Sequence, residues 1–327
     1  MEKFYPVIDF HSHVVSPQEL VRLCPDDQKT AFFKYIVPAI EKVAHFSEPV
    51  HYRFLRYLAL NFNDRLSLLA WGYCGELGLM ETLRLFKTYD FKRLLHSMEQ
   101  NNIKHSVIYS LEPVTYTNEL LELTKDHRDK ITIFGSACND IKDKAAYLEP
   151  FLKQKRIGGI KIHPIVGGFF GHELLPQTKD IAALATEYEV PISIHTGHIP
   201  VERLSGLKDL TDVPSIEPLI AAFPKCTFVL NHMGWESWRA ALALGQKYNN
   251  IMVETSWQPA RIIRRGVDKL GAHRVLFGSD FPLFQQWQAI NEVRKALSKS
   301  EFQQVTSLNA MRLLHMESSV LSHRKTG

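Results

Sequence analysis

The sequence predicts a (β/α)8 barrel with a helical insertion after its first strand, and three observations carry that prediction. Eight short apolar runs rich in Val, Ile and Phe recur along the chain. Amphipathic segments of helical spacing separate most of them, the alternation expected of parallel strands joined by crossover helices. Five of the eight runs end in histidine or aspartate, and a barrel collects its functional groups at the C-terminal ends of its strands. An open doubly wound sheet is the alternative, but no Gly-rich phosphate turn follows the first run.

The first run is Val7-Ile8-Asp9-Phe10-His11-Ser12-His13. Alternate side chains of an extended strand share a face, so Asp9, His11 and His13 are expected on one side and Ile8 and Phe10 on the other. Residues 16–100 then read as the insertion, because the apolar positions of 31–37 and 51–58 recur at helical spacing. Within it, Arg53 and Arg56 are candidates to bind a substrate carboxylate if the segment folds over the barrel mouth; the competing reading is an ordinary charged helix face. Strands are expected at 105–110, 130–135, 159–163, 191–195, 226–232, 250–255 and 274–279.

Between these runs, helices are expected at 140–155, 176–187, 215–223, 236–248, 259–270 and 286–297, the first opening on a capping Asn-Asp and the second on a proline. A final helix follows over 298–315, and 318–327 is a polar, frayed tail. The whole chain, 1–327, reads as one domain with 16–100 inserted in it.

Composition narrows the class of function. Apolar residues make up 45% and charged residues 23% of the chain, which describes a globular protein with a sizeable core. The net charge of +4 is spread along the sequence, without the Lys/Arg clusters and interleaved aromatics of a nucleic-acid surface, and no apolar run reaches membrane-spanning length. Cys24, Cys74, Cys138 and Cys226 lie far apart and form no C-x-x-C pair. Four reduced thiols and a first strand too close to the start for a signal peptide give the expectation of a cytoplasmic protein acting on a small molecule. The aromatic-rich insertion is open to two uses, a lid over the barrel or a contact in a homo-oligomer.

Two imidazoles at i and i+2 can approach one ion, yet a zinc site needs further ligands from elsewhere in the chain. The strand ends supply candidates: Gly159-Ile-Lys161-Ile-His163-Pro164, His195-Thr-Gly197, Asn231-His232-Met-Gly234 and Leu276-Phe-Gly-Ser-Asp280-Phe-Pro282. With Asp9-x-His11-x-His13, these segments resemble the amidohydrolase superfamily. Within it they resemble the amidohydrolase-2 group of metal-dependent TIM-barrel hydrolases and decarboxylases, and the resemblance covers nearly the whole barrel.

The resemblance implies a metal held by His11, His13, His195 and Asp280, with His232 beside it as an acid/base or substrate-polarising group. Three imidazoles and one carboxylate suit Zn²⁺, with Mn²⁺ or Fe²⁺ as alternatives, one ion per chain. Such an ion acidifies bound water to a pKa of around 7, and Asp280 then serves as ligand and as base. The competing readings are a helix N-cap for Asp280 and a packed strand-end imidazole for His232. Binuclear members of the superfamily carboxylate a lysine at the place of Lys161, but Lys-x-His-Pro is also frequent in the mononuclear amidohydrolase-2 group. One metal is therefore expected, with Lys161 a cation in the pocket and His163 a substrate contact or an orienting neighbour.

Weaker candidates to line the pocket are His198, Glu254 and Ser256. Trp235, Trp238 and Trp257 are open to two readings, an aromatic wall or core packing. The function expected first is hydrolysis of a small lactone, amide or ester by metal-activated water. The alternative is non-oxidative decarboxylation of a small aromatic or enoic acid by the same residues. A non-catalytic metal-binding barrel stands behind both, since every expected ligand position is filled.

Overall fold

The computed structural model describes residues 5–15, 90–169, 174–197 and 211–316. Most of the 16–100 insertion with Arg53 and Arg56, His198, and the tail 318–327 lie outside the described residues.

Eight parallel strands pair in sequence order: β1 (Val7–Ser12), β2 (Ile103–Tyr109), β3 (Ile131–Ser136), β4 (Gly159–Ile162), β5 (Ile192–Ile194), β6 (Phe228–Leu230), β7 (Ile251–Glu254) and β8 (Val275–Leu276). The strand count and order are those of a TIM barrel. The sheet is closed beyond β8, where Phe10 N donates to Phe277 O, Asp280 N to His11 O and His13 N to Phe281 O at 2.9, 2.7 and 2.7 Å. This seam between the first and last strands brings the two ends of the sequence together.

The helices that cover the barrel are α1 (Phe91–Gln100), α2 (Thr117–Leu123), α3 (Lys144–Lys153), α4 (Leu174–Glu187), α5 (Glu217–Ala222), α6 (Trp238–Lys247), α7 (Ala260–Leu270) and α8 (Gln286–Ala296). Short helices α9 (Lys299–Gln303) and α10 (Asn309–Leu313) follow, joined by one π-helical turn where a single helix is expected from the sequence. Residues 91–100, grouped with the insertion in the sequence, form the crossover to β2, and α1 sends Leu94 and Met98 into the core. The side chain of Asp90 caps that helix by accepting from Arg93 N, as Asp143 caps α3 by accepting from Ala146 N. The seven-residue α2 goes unnoticed in the sequence because it has only two turns in which to show a period.

The strands alternate as the pleat requires. Ile108, Ile133, Ile160, Ile162, Ile192, Ile194, Phe228 and Val253 pack outward against the helices, while Val107, Tyr109, Phe134, Val229, Met252 and Leu276 fill the barrel. The exception is β1. Ile8 and Phe10 join the interior cluster, and Asp9 turns toward β8 and α8. The expected common face of Asp9, His11 and His13 is thus corrected: the register with β2 slips between Asp9 and Ser12, so that Phe10 and His11, neighbours in sequence, both serve the barrel interior. No helix among the described residues is long and apolar enough to cross a membrane.

Candidate metal centre

The β1 irregularity aims His11 and His13 into the barrel mouth, where they meet Asp280. His11 Nε2 lies 3.0 Å from His13 Nε2, and each nitrogen is 3.2 Å from Asp280 Oδ1. All three residues are buried, and the left-handed backbone of Asp280 (φ 62°) turns its carboxylate inward just beyond β8. Donor atoms so spaced are what three ligands at about 2.1 Å from one ion present when they subtend roughly 90–100° at it. Two histidines and one carboxylate on one side of an ion leave its other positions open to substrate, the arrangement of non-haem Fe(II) sites and one that other divalent metals also accept.

Asp9 faces away from the ligand cluster and is held by hydrogen bonds. Its carboxylate accepts from Ser279 N at 2.8 Å, Ser279 Oγ at 2.6 Å, Gln286 Nε2 at 2.7 Å and His11 N at 3.2 Å. These bonds tie β1 to the segment that carries Asp280. Burial outweighs them and lifts the Asp9 carboxyl to about 6.

His232 follows β6 on a turn of left-handed residues and completes with His11 and Asp280 a buried group able to hold a metal ion. Its Nδ1 is 2.7 Å from Ser256 Oγ and its Nε2 is 3.1 Å from His195 Nδ1. His195 is bonded through one nitrogen to His232, while its Nε2 is buried without a hydrogen-bond partner. In the tautomer with its proton on Nδ1, Nε2 offers its lone pair to a ligand. His163 stacks on His195 with centroids 4.1 Å apart and planes within 10°. Burial, reinforced by neighbouring Lys161 and the other imidazoles, holds His11, His195 and His232 well below the ordinary histidine range. Neutral imidazoles are the form that binds metals.

Lys161 lies deeper in the barrel, 1% exposed. Its ammonium donates to Asn231 Oδ1 and sits 4.5 Å from the centre of the Tyr109 ring. Desolvation lowers it to about 7, against the pull of Asp280 and Glu254. Among the described residues the sequence-derived set His11, His13, His163, His195, His232, Lys161 and Asp280 is gathered at one end of the barrel.

Besides Ser256, two side chains that the sequence treats only as candidates for the pocket or its wall touch this set directly. Glu254, at the end of β7, lies 2.7 Å from His11 Nδ1, and Trp257 Nε1 donates to Asp280 Oδ2 at 2.6 Å. Neither contact has a local sequence signature, because the partners are 243 and 23 residues apart. Trp257 also stacks between Trp235 and Phe284, with centroid distances of 5.1 and 5.3 Å and planes within 15° and 26°. Of the three tryptophans considered as a wall, Trp235 and Trp257 form one beside the ligands, and Trp238 packs in the core under Arg239 and Arg265.

Solved structures of similar fold include 5-carboxyvanillate decarboxylase from Sphingomonas paucimobilis, which is 15% identical with a TM-score of 0.62 over 96% of this chain and 100% of its own. They also include 2,6-dihydroxybenzoate decarboxylase from Rhizobium, 14% identical with a TM-score of 0.62 over 96% and 99% of the two chains. A third is 5-carboxyvanillate decarboxylase from Novosphingobium aromaticivorans, solved with manganese and 4-hydroxy-3-methoxy-5-nitrobenzoic acid, 14% identical with a TM-score of 0.61 over 96% and 97%. At these identities the likeness is one of fold. No curated protein matches the chain. The amidohydrolase family model, that of the amidohydrolase-2 group, matches residues 8–316 and so spans every strand, and the chain belongs to that family.

Proposed function

We propose that the protein is a metal-dependent, non-oxidative decarboxylase of a small aromatic acid. The observation that carries this reading is the aromatic stack of Trp235, Trp257 and Phe284 at the edge of the ligand cluster. Trp235, the partly exposed end of that stack, offers a planar substrate an apolar surface near the polar residues, its ring centre 5.8 Å from that of His232. The solved structures of similar fold, whose named substrates are hydroxylated benzoates, support the same direction. Hydrolysis, first in order from the sequence alone, drops to second for want of a comparable feature favouring a lactone or ester.

His11, His13, His195 and Asp280 would hold a divalent cation, which would supply Lewis acidity to a bound acid. The protein's part is binding and proton handling. Decarboxylation exchanges a carboxyl group for a proton at one carbon and releases CO₂, so one group must deliver a proton to that carbon. His232 is placed for this, and Asp280 is the second group at the site able to hold a proton. Lys161, beneath them, adds positive potential that favours an anionic substrate. Arg53, Arg56 and His198 remain candidates for contacts with the rest of the acid, on the sequence argument alone.

The test is a panel of hydroxybenzoates and carboxylated vanillates offered to manganese- or zinc-loaded protein, alongside lactones and esters. CO₂ release from an aromatic acid, abolished by Asp280→Asn in a folded protein, is the expected result. Lactone or ester cleavage without CO₂ release from any acid would return the hydrolase to first place.

A further inference from the structure

We infer that Glu254 is the positioning residue of this site, one carboxylate that fixes the tautomers of two histidines on different strands, His11 and His232. The inference rests on His11 holding the metal and is independent of which reaction follows.

The hydrogen bonds around Glu254 leave its oxygens only one role. Oε2 faces His11 Nδ1 at 2.7 Å, Ser256 Oγ at 2.8 Å and His232 N at 3.3 Å, and Oε1 accepts from Ser256 N. Two of these donors are backbone amides and the Ser256 hydroxyl donates as well, so the ionised carboxylate acts as an acceptor throughout. His11 must then carry its proton on Nδ1. The lone pair on Nε2 is thereby turned toward His13 and Asp280, the ligand cluster.

The second branch runs through Ser256. Its hydroxyl hydrogen is committed to Glu254, so toward His232 Nδ1, 2.7 Å away, the serine oxygen can only accept. That places the His232 proton on Nδ1 as well and leaves Nε2 as the basic atom, the one facing His195. One carboxylate therefore sets the atom with which the first strand binds metal and the atom with which the sixth moves a proton. Burial pushes the Glu254 carboxyl up to about 8, and a cation beside His11 acts in the opposite direction.

An independent mark of this role lies on β8. A Cβ at Gly278 would collide with the Glu254 carboxylate, closer than real Cβ atoms approach. The glycine of the Leu-Phe-Gly-Ser-Asp segment leaves the room in which that carboxylate reaches His11.

The test is Glu254→Gln, which keeps shape but offers an amide where only an acceptor serves. Manganese or zinc affinity, measured by chelator competition, is expected to fall about 10- to 100-fold, the usual cost of losing the partner of a metal-ligating histidine. In metal-free protein labelled with ¹⁵N-histidine, at a pH above the value of about 8 to which burial raises Glu254, the His11 ring, assigned through His11→Asn, should carry its proton on Nδ1 in wild type and on Nε2 in Glu254→Gln. Ser256→Ala cuts only the His232 branch, so it should keep metal affinity within about twofold while lowering kcat. Wild-type affinity and unchanged His11 tautomer in Glu254→Gln would overturn the inference, as would an equal loss of affinity in Ser256→Ala. Should the Gln variant fail to fold, Glu254→Asp, with its carboxylate withdrawn by one methylene, carries the same test: an intermediate loss supports the role and wild-type affinity refutes it. Wild-type protein that binds no metal would sink the metal reading itself, an outcome distinct from either.

Discussion

Replacing Trp257 by Phe isolates one bond in the candidate centre. The indole is buried between Trp235 and Phe284, and a phenyl ring preserves most of that stack. What disappears is the Nε1–H that donates to Asp280 Oδ2 at 2.6 Å. That bond holds one carboxylate oxygen so that the other, Oδ1, faces His11 and His13. A hydrogen bond to a charged acceptor contributes about 1.5–3 kcal/mol. At about 1.4 kcal/mol for each factor of ten, the variant should bind manganese or zinc roughly 10- to 150-fold more weakly. Chelator competition on the purified protein measures this directly. The lost ring volume also lowers metal-free stability, by roughly 1–2 kcal/mol for a partly filled site, so unfolding in excess chelator is recorded in parallel. Phe284→Leu is the control: Phe284 packs on Trp257 yet has no polar atom to offer Asp280. Affinity within twofold of wild type in Trp257→Phe, or an equal loss in Phe284→Leu, would refute the claim that the indole N–H orients the ligand.

Two further predictions concern other buried groups, His105 and Lys161. His105 on β2 is 2% exposed, bonds Thr132 Oγ1 at 2.8 Å, and is held by burial at about 4 instead of 6.5. The unfolded chain takes up this proton as pH falls below about 6.5 and the folded chain only near 4, so stability declines across that window, by on the order of 3 kcal/mol. His105→Gln should flatten the decline in urea midpoints between pH 7 and 4, and an unchanged slope would assign the acid sensitivity elsewhere. For Lys161, whose ammonium is engaged by Asn231 and the Tyr109 ring, elemental analysis after expression with bicarbonate and excess zinc should find one metal per chain; two equivalents would revive the carboxylated lysine.

Much of the barrel was legible in the sequence for a physical reason. Parallel strands buried on both faces read as apolar runs, and their C-terminal ends are where polar residues interrupt them. Seven candidate site residues could therefore be named from the runs they terminate. The parity of β1 was not legible: Asp9, His11 and His13 alternate in sequence, but the slip against β2 sends Asp9 to Ser279 and Gln286 while His11 enters the site. A period of two cannot reveal its own interruption. The contacts of Glu254 and Trp257, both named as candidates, escaped for another reason. Each looks like any strand-end polar group or loop aromatic, and each gains meaning only from a partner that the closure of the barrel supplies.

The same closure accounts for where the backbone is strained. Of the nine non-glycine residues with positive φ among the described ones, Asn102, Lys155, Glu189 and His315 each lie two positions past a helix end, where a left-handed residue commonly stops the helix. The other five are His232, Met233, Trp235, Trp257 and Asp280, in the turns after β6, β7 and β8 that carry the candidate metal centre and its aromatic wall. A left-handed residue other than glycine costs on the order of 1–3 kcal/mol and persists only where its surroundings over-determine it. Those surroundings are visible. A Cβ at Gly197 would strike Trp235, one at Gly266 would strike Met233, and one at Gly234 would strike Ala241. Three glycines on the β5 loop, the β6 loop and α7 thus let the chain pack onto the turn that carries His232. Strand ends in a barrel diverge toward solvent, and side chains that followed them would splay apart. Turning the backbone left-handed after β6, β7 and β8 brings His232, Trp257 and Asp280 back over the mouth, so the aim of the site is held by close backbone packing as much as by the residues that do chemistry.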